Sequence, residues 1–332
     1  MTHAKTQEAD LILAGASQVV TFRGVGRGEV ADAVAASTLT EASVAMADGC
    51  IVDVGPASEI KRRVRLRPGG ESLDCRGQVI LPGLMDAHTH LPFAGLRADE
   101  FRRRLAGDSY EDIARAGGGI RATLAATRRA SLTELVENCL ARMDRMLLHG
   151  VTTAEAKSGY GLDLPTELRQ LRAICGAGRR HPVALVPTLL AAHIVPPEMS
   201  GRRQEYLDLM IQEILPAVVE QDLARFCDVF IDDGAFTVDE AGVVLRAARD
   251  AGLGLRVHAD QLGYSGAAGG GGGGPGPPPP PPPPPLLQLF IRRLSGNPRP
   301  SSCPPRLPGQ SSGRKRSRIS PPRTWGDANP VP

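Results

Sequence analysis

Apolar and polar positions keep two different rhythms along this chain, and the rhythm is lost near residue 269. The runs "DLILAGASQVV" (10–20), "ASVAMADGCIVDVGP" (42–56) and "ESLDCRGQVILPG" (71–83) are short apolar stretches parted by turn residues. Asp48-Gly49 falls between two such stretches, where both residues tolerate the positive φ of a tight hairpin. A small antiparallel β unit is expected over residues 1–80. From there, apolar runs of strand length alternate with helical periodicity. Strands are expected at Val79–Ala87, Val151–Ala156, Val183–Leu190, Cys227–Ile231 and Leu253–His258, and helices at Ser131–His149, Leu164–Ala177, Arg203–Gln221 and Val238–Ala251. "SLTE" (Ser131, Glu134) and "TVDE" (Thr237, Glu240) have the spacing of capping boxes at two helix starts.

Alternating β and α at this spacing predicts a parallel sheet with right-handed crossovers, either a doubly wound sheet or a (β/α)8 barrel. Five strands precede Gly269, whereas a barrel needs eight. Six glycines, Pro-Gly and the nine prolines Pro277–Pro285 then open a tail rich in Pro, Arg and Ser. Glycine runs do not nucleate structure and polyproline is extended without internal hydrogen bonds, so residues 269–332 are expected to be a disordered tail. The expected organisation is 1–80, an N-terminal β unit; 81–268, part of a barrel; and 269–332, the tail.

Charge and cysteine usage narrow the function classes. The net charge of +3 is misleading, because residues 286–332 carry nine Lys/Arg against the single acid Asp327. The body is mildly acidic, which argues against nucleic acid as its partner. Cys50, Cys75, Cys139, Cys175, Cys227 and Cys303 show no CxxC and no short-spaced framework, the pattern of reduced thiols in a cytoplasmic protein. No apolar run is long enough for a membrane span, and no signal peptide is read at the start.

The sharpest chemical signal is "ILPGLMDAHTHLPFAG", in which His88 and His90 are two apart. On a strand, positions i and i+2 share a face, so both imidazoles reach one metal ion. The C-terminal end of a barrel strand is where barrel enzymes do chemistry. Arg97, Tyr160, His193 and His258 each follow or end a candidate strand in the same way. Glu155 and Lys157 share a strand face, which permits an ion pair.

"PGLMDAHTH" resembles the first barrel strand of the amidohydrolase superfamily. The segments "DAHTHLPFAGLRADEFRRRLAGDSYEDIARAGGGI", "HGVTTAEAKSGYGLDLPTELRQLR", "PTLLAAHIVPPE" and "HADQ" are similar to the imidazolonepropionases, cyclic-amide hydrolases of histidine degradation. The resemblance covers roughly residues 10–266. It implies an amidohydrolase-type (β/α)8 barrel, incomplete here with about five strands. It further implies His88, His90 and His258 as ligands of one divalent metal, zinc or iron. Substrate-binding roles fall to Arg97, Tyr160, His193 and Gln261, and His193 is the catalytic candidate, either donating to a developing oxyanion or orienting the substrate ring. The implied reaction opens 4-imidazolone-5-propanoate to N-formimino-L-glutamate.

Two members of the implied site have no counterpart in the sequence. No histidine follows His258, and Asp327 is the one acid after Asp260. The late aspartate that would share the metal and shuttle the proton is therefore missing, as is a further histidine polarising the substrate. The chain reads as a truncated or frame-shifted imidazolonepropionase whose family activity is lost as written. The expected partner is the small-molecule substrate, with no nucleic acid, no membrane, and a homodimer allowed. The competing readings are another cyclic-amide or deaminating amidohydrolase, and a non-catalytic fragment whose Pro/Arg-rich tail binds a partner.

Overall fold

The computed structural model describes residues 6–23, 34–35, 37–107 and 118–261. The expected tail and the frame-shift seam at Gly269 lie outside these residues.

The N-terminal sheet is built around one long strand. β1 (Gln7–Val20) pairs antiparallel with β2 (Thr38–Ala47), which pairs antiparallel with β3 (Cys50–Pro56) across the Asp48-Gly49 turn. Both turn residues have positive φ, 53° and 78°. The sheet is mixed rather than purely antiparallel. Helix α1 (Ala57–Arg63) carries the chain back across one face, so β4 (Val64–Asp74) and β5 (Val79–Ile80) run parallel to β1. Both faces of the sheet are therefore covered. Leu13, Val19, Val44 and Met46 pack on one side, while Ala9, Ala45, Ile60 and Val64 pack beneath α1 on the other.

The single strand expected over Val79–Ala87 is split between two sheets. Val79–Ile80 belongs to the N-terminal sheet, and β6 (Leu84–Asp86) begins the second one. Pro82 has no N–H to give a ladder, and Gly83 lies so close to the neighbouring strand that a Cβ there would stand 2.1 Å from Thr152 Oγ1. Glycine at this point lets the chain cross from one sheet to the next.

The second sheet has the order β10-β9-β8-β7-β6, with β7 (Val151–Lys157), β8 (Ala184–Ala192), β9 (Phe226–Ile231) and β10 (Gly254–Ala259). Every neighbouring pair is parallel and every neighbour is the next strand in sequence. A doubly wound sheet reverses its order at a switch point, whereas a barrel wall does not. The five strands therefore form part of a (β/α) barrel wall.

The helices between them are α2 (Ala98–Leu105), α3 (Ile120–Arg129), α4 (Leu132–Leu148), α5 (Leu164–Gly178), α6 (Arg203–Leu209), α7 (Leu215–Glu220) and α8 (Val238–Asp250). Their apolar stripes recur at three- and four-residue spacing: Leu135, Cys139 and Met143 on α4, and Ala241, Val244 and Ala248 on α8, all buried against the sheet. The one helix expected over Arg203–Gln221 is interrupted by a π-helical turn, Met210–Ile214, between α6 and α7. Pro216 accounts for the break, since it has no N–H with which to continue the regular ladder. No described helix is long and apolar enough to cross a membrane.

The two helix starts differ. Ser131 Oγ accepts from the Glu134 amide at 3.2 Å. Thr237 and Glu240 form the full reciprocal box, with Thr237 N donating to Glu240 Oε2 at 2.8 Å. Thr237→Ala is expected to cost about 1 kcal/mol, measured by urea unfolding. The Arg203 guanidinium, bonded to both Glu240 oxygens, brings that carboxyl from the ordinary 4.5 down to about 2. A depressed folded pKa stabilises above the unfolded value and is lost as pH falls through the folded one. The stability gap between wild type and Glu240→Gln should therefore narrow as pH drops from 4.5 towards 2, and a constant gap would refute this assignment.

Candidate active site

His88 and His90 lie just beyond the last residue of β6 rather than on it. The chain there leaves the ladder at Asp86 and is held by neighbouring groups instead. The Thr89 hydroxyl donates to the Glu155 carbonyl, and Lys157 N donates to Thr89 O at 2.9 Å. Asp86 Oδ1 accepts from His88 N at 3.3 Å. Pinned to β7 in this way, the segment still presents both rings to a common space, 5.5 Å apart between centroids.

Three further candidates meet them at the same ends of the strands. His258, on β10, stands edge-on to His88 at 5.0 Å. His193, just past β8, stacks on His90 at 5.1 Å and 17°. Tyr160, just past β7, lies 5.2 Å from both His90 and His193. Arg97 is at the exposed rim before α2, where its charge acts on Tyr160 against the burial that raises the phenol's pKa. Gln261 is also at the rim, its backbone N–H donating to Asp232 Oδ2 at 2.9 Å.

Burial keeps the inner histidines neutral. It takes His90 down to about 3, with His193 adding to the effect, and His193 down to about 4 against the opposing bond to Gly159. His88 is lowered by burial and by the Lys157 charge. Hydrogen bonds then fix two tautomers. His193 Nδ1 faces the Gly159 carbonyl at 2.8 Å and His258 Nδ1 faces Asp228 Oδ2 at 3.0 Å. Both partners only accept, so each Nδ1 carries a proton, and His193, being neutral, keeps a lone pair at Nε2. The His258 ring also stacks on Phe230, 4.6 Å away and 9° from parallel.

Beneath the rings is a buried charge cluster that sequence reasoning saw only in part. The Glu155–Lys157 pair anticipated from strand parity is present at 2.7 Å. Asp228, unanticipated, completes it at 2.5 Å from Lys157 Nζ and is the same carboxylate that holds His258. Its signal was a lone acid in the apolar strand "FCDVFI", where a charge needs a partner. Burial alone would raise the Asp228 carboxyl, but the bonds from His258 and Lys157 outweigh it and hold it below its ordinary value. Breaking such a cluster leaves an uncompensated buried charge. Lys157→Met should lower unfolding free energy by about 3–5 kcal/mol in chemical denaturation, and a loss under 1 kcal/mol would show the cluster to be dispensable.

The histidines suit a metal ion in spacing and in chemistry. Two imidazoles on one tetrahedral zinc, with Zn–N of about 2.0–2.1 Å, place their ring centres about 5 Å apart. His88 stands at that separation from both His90 and His258. His90 Nδ1 is buried with no hydrogen-bond partner, and His258 has the carboxylate-backed arrangement of a metal ligand. Among the described residues, no group of three His, Cys, Asp or Glu side chains is placed so as to hold a metal ion, so the three histidines would have to draw together around one.

Consecutive parallel strands thus gather histidines at their C-terminal ends over a buried ion cluster, a candidate site on five strands of a (β/α) barrel wall. No family model matches the chain. Curated imidazolonepropionases do. That of Symbiobacterium thermophilum is 50% identical over 262 residues, 78% of this chain and 61% of the relative. That of Myxococcus xanthus is 50% identical over 259 residues, with the same coverage. Among solved structures, an adenosine deaminase from Xanthomonas campestris with bound zinc aligns with TM-score 0.45 and 16% identity, over 76% of this chain and 49% of that one. A 5-methylcytosine deaminase from Klebsiella pneumoniae aligns with TM-score 0.47 and 16% identity, over 75% and 51%. By sequence the matched stretch is similar to imidazolonepropionases, and the chain spans 61% of the length of the first curated relatives it matches.

Proposed function

We propose that the chain carries the metal- and substrate-binding part of an imidazolonepropionase site, for the hydrolysis of 4-imidazolone-5-propanoate to N-formimino-L-glutamate. The observation that carries this reading is the convergence of His88, His90, His193, His258 and Tyr160 at one end of the parallel strands. His88, His90 and His258 would hold one divalent ion, zinc or iron. When bound, it supplies a water of depressed pKa and polarises the ring carbonyl.

The remaining roles follow from the groups present. Arg97 offers a guanidinium fork to the propionate carboxylate, and Tyr160 lies between that fork and the histidines. His193, neutral with its Nε2 lone pair free, is an acceptor for a ring N–H of the substrate. Of the two roles weighed for it, this tautomer supports orienting the ring over donating to an oxyanion. Gln261 at the rim would contact the imidazolone ring. The proton shuttle implied by the resemblance has no counterpart after Asp260 other than Asp327. Binding without turnover is therefore the expected behaviour of the chain alone, in the cytoplasm, as a monomer or homodimer.

Zinc or ferrous ion titrated calorimetrically into chelator-treated protein should bind at one equivalent, and His258→Ala should weaken binding by at least about tenfold. Loss of the imidazolone absorbance should stay at the uncatalysed rate. Turnover at an enzymatic rate would overturn the binding-only reading, and absence of any metal binding would overturn the site itself.

A further inference from the structure

The loop after β7, "SGYGL" (158–162), carries four consecutive amides, and all four are satisfied from a single helix. Glu167 on α5 takes three of them. Its Oε2 accepts from Gly159 N at 3.1 Å, and its Oε1 accepts from Gly161 N at 2.9 Å and Leu162 N at 2.8 Å. Gln170, one turn on, accepts from Tyr160 N at 3.2 Å and donates to Pro92 O at 2.8 Å, which ties the loop to the segment after the histidine pair. Glu167 is fully buried, and burial raises its pKa against the pull of these bonds. The loop cannot relax onto another path cheaply. Gly159 sits at φ +102°, with Leu190 O 2.9 Å from where a Cβ would be, and Leu162 is at φ 58°.

The Gly159 residue is bonded at both ends. Its N–H goes to Glu167, and its carbonyl receives Nδ1–H of His193 at 2.8 Å. The carbonyl shares its peptide plane with Tyr160 N–H, which Gln170 holds, so Glu167 fixes the peptide before Gly159 and Gln170 the one that decides which nitrogen of His193 is free. We propose that Glu167 and Gln170 are positioning residues of the site: by fixing the peptides on either side of Gly159 they hold His193 in the Nδ1–H tautomer with Nε2 open to a ligand, and they set Tyr160 beside it. The consequence for ligand binding rests on the function proposed above, whereas the tautomer assignment does not.

Glu167→Gln separates the two ends of the carboxylate. Its one oxygen belongs where two donors converge, at Gly161 and Leu162, which turns the amide NH2 against the Gly159 N–H, donor to donor. The loop keeps two of its bonds while the Gly159 backbone loses its own.

The test is nitrogen-15 NMR of the His193 ring in the full chain at pH 8, with imidazole-4-propanoate as binding probe. In wild type, Nδ1 should be protonated and Nε2 bare. In Glu167→Gln, with an unchanged far-ultraviolet circular dichroism spectrum, the ring should shift to a mixed tautomer and the probe should bind about tenfold more weakly, the loss of one hydrogen bond's worth of order. Gln170→Ala, which frees the peptide carrying the Gly159 carbonyl, should shift the His193 tautomer likewise. A folded Glu167→Gln protein with an unaltered His193 signature overturns the proposal. So does a wild-type ring protonated at Nε2, and this second measurement decides the matter if the variant fails to fold. A tautomer that responds to Glu167→Gln in a protein that does not bind the probe would uphold the positioning role and refute the substrate reading alone.

Discussion

Lys157 is buried at the centre of the parallel sheet, and the arrangement above it depends on how its charge is met. Its ammonium bridges Glu155 on its own strand and Asp228 on β9. Glu155 Oε1 also accepts from Thr188 on β8 at 2.8 Å and lies 3.2 Å from Arg256 Nε on β10, while Asp228 holds His258 on the same strand. Four successive strands are thus linked on their inner face by one polar cluster, where an apolar layer would bind them with no preference for register. Desolvating these charges is costly, and a hydrophobic layer of equal volume would serve stability as well. What the ions add is a fixed orientation for the groups above them, above all for the His258 ring.

That orientation matters because its neighbours His90 and His193 are neutral. With His90 near 3 and His193 near 4, the imidazoles act at neutral pH as oriented lone pairs and N–H groups rather than as cations. A neutral histidine has two tautomers with opposite uses, so a site of neutral histidines is only as specific as the groups that choose between them. The Gly159 carbonyl makes that choice for His193, and Asp228 fixes the orientation of the His258 ring. The rest of the fold supports these two acceptors: β9 carries one, and the tightly turned loop after β7 carries the other.

The sequence made much of this visible, and the limits have physical causes. Strand and helix rhythm placed β7 to β10 and α4, α5 and α8 because their apolar stripes face one continuous core, so that local pattern and tertiary burial agree. The pattern failed where backbone chemistry overrides it. Pro82-Gly83 split an apolar run into two sheets, Pro216 broke a periodic helix with a π turn, and α1 made the N-terminal sheet mixed by returning the chain parallel to β1. Of the candidate site, the histidines and Tyr160 that the structure brings together were legible because each follows or ends a strand. Asp228, Glu167 and Gln170 were not, since a carboxylate or amide that serves another residue leaves no spacing motif. The partner that explains it is 71 residues away for the Asp228–Lys157 bond and 78 for the Gln170–Pro92 bond.

The open polar valences of the cluster bear on what the five strands can do. Glu155 Oε2, Asp228 Oδ1 and His90 Nδ1 are buried without hydrogen-bond partners, each a cost of about 1–3 kcal/mol when left unmet. Leu255 and Val257 on β10 stand 43% and 47% exposed, where a strand of a complete barrel would have its outer face covered. The histidine and tyrosine side chains at the strand ends are held by contacts among β6 to β10 and the helices between them. The functional groups of a barrel come from the ends of several different strands. An arc of five described strands can therefore hold an oriented set of side chains at its C-terminal ends.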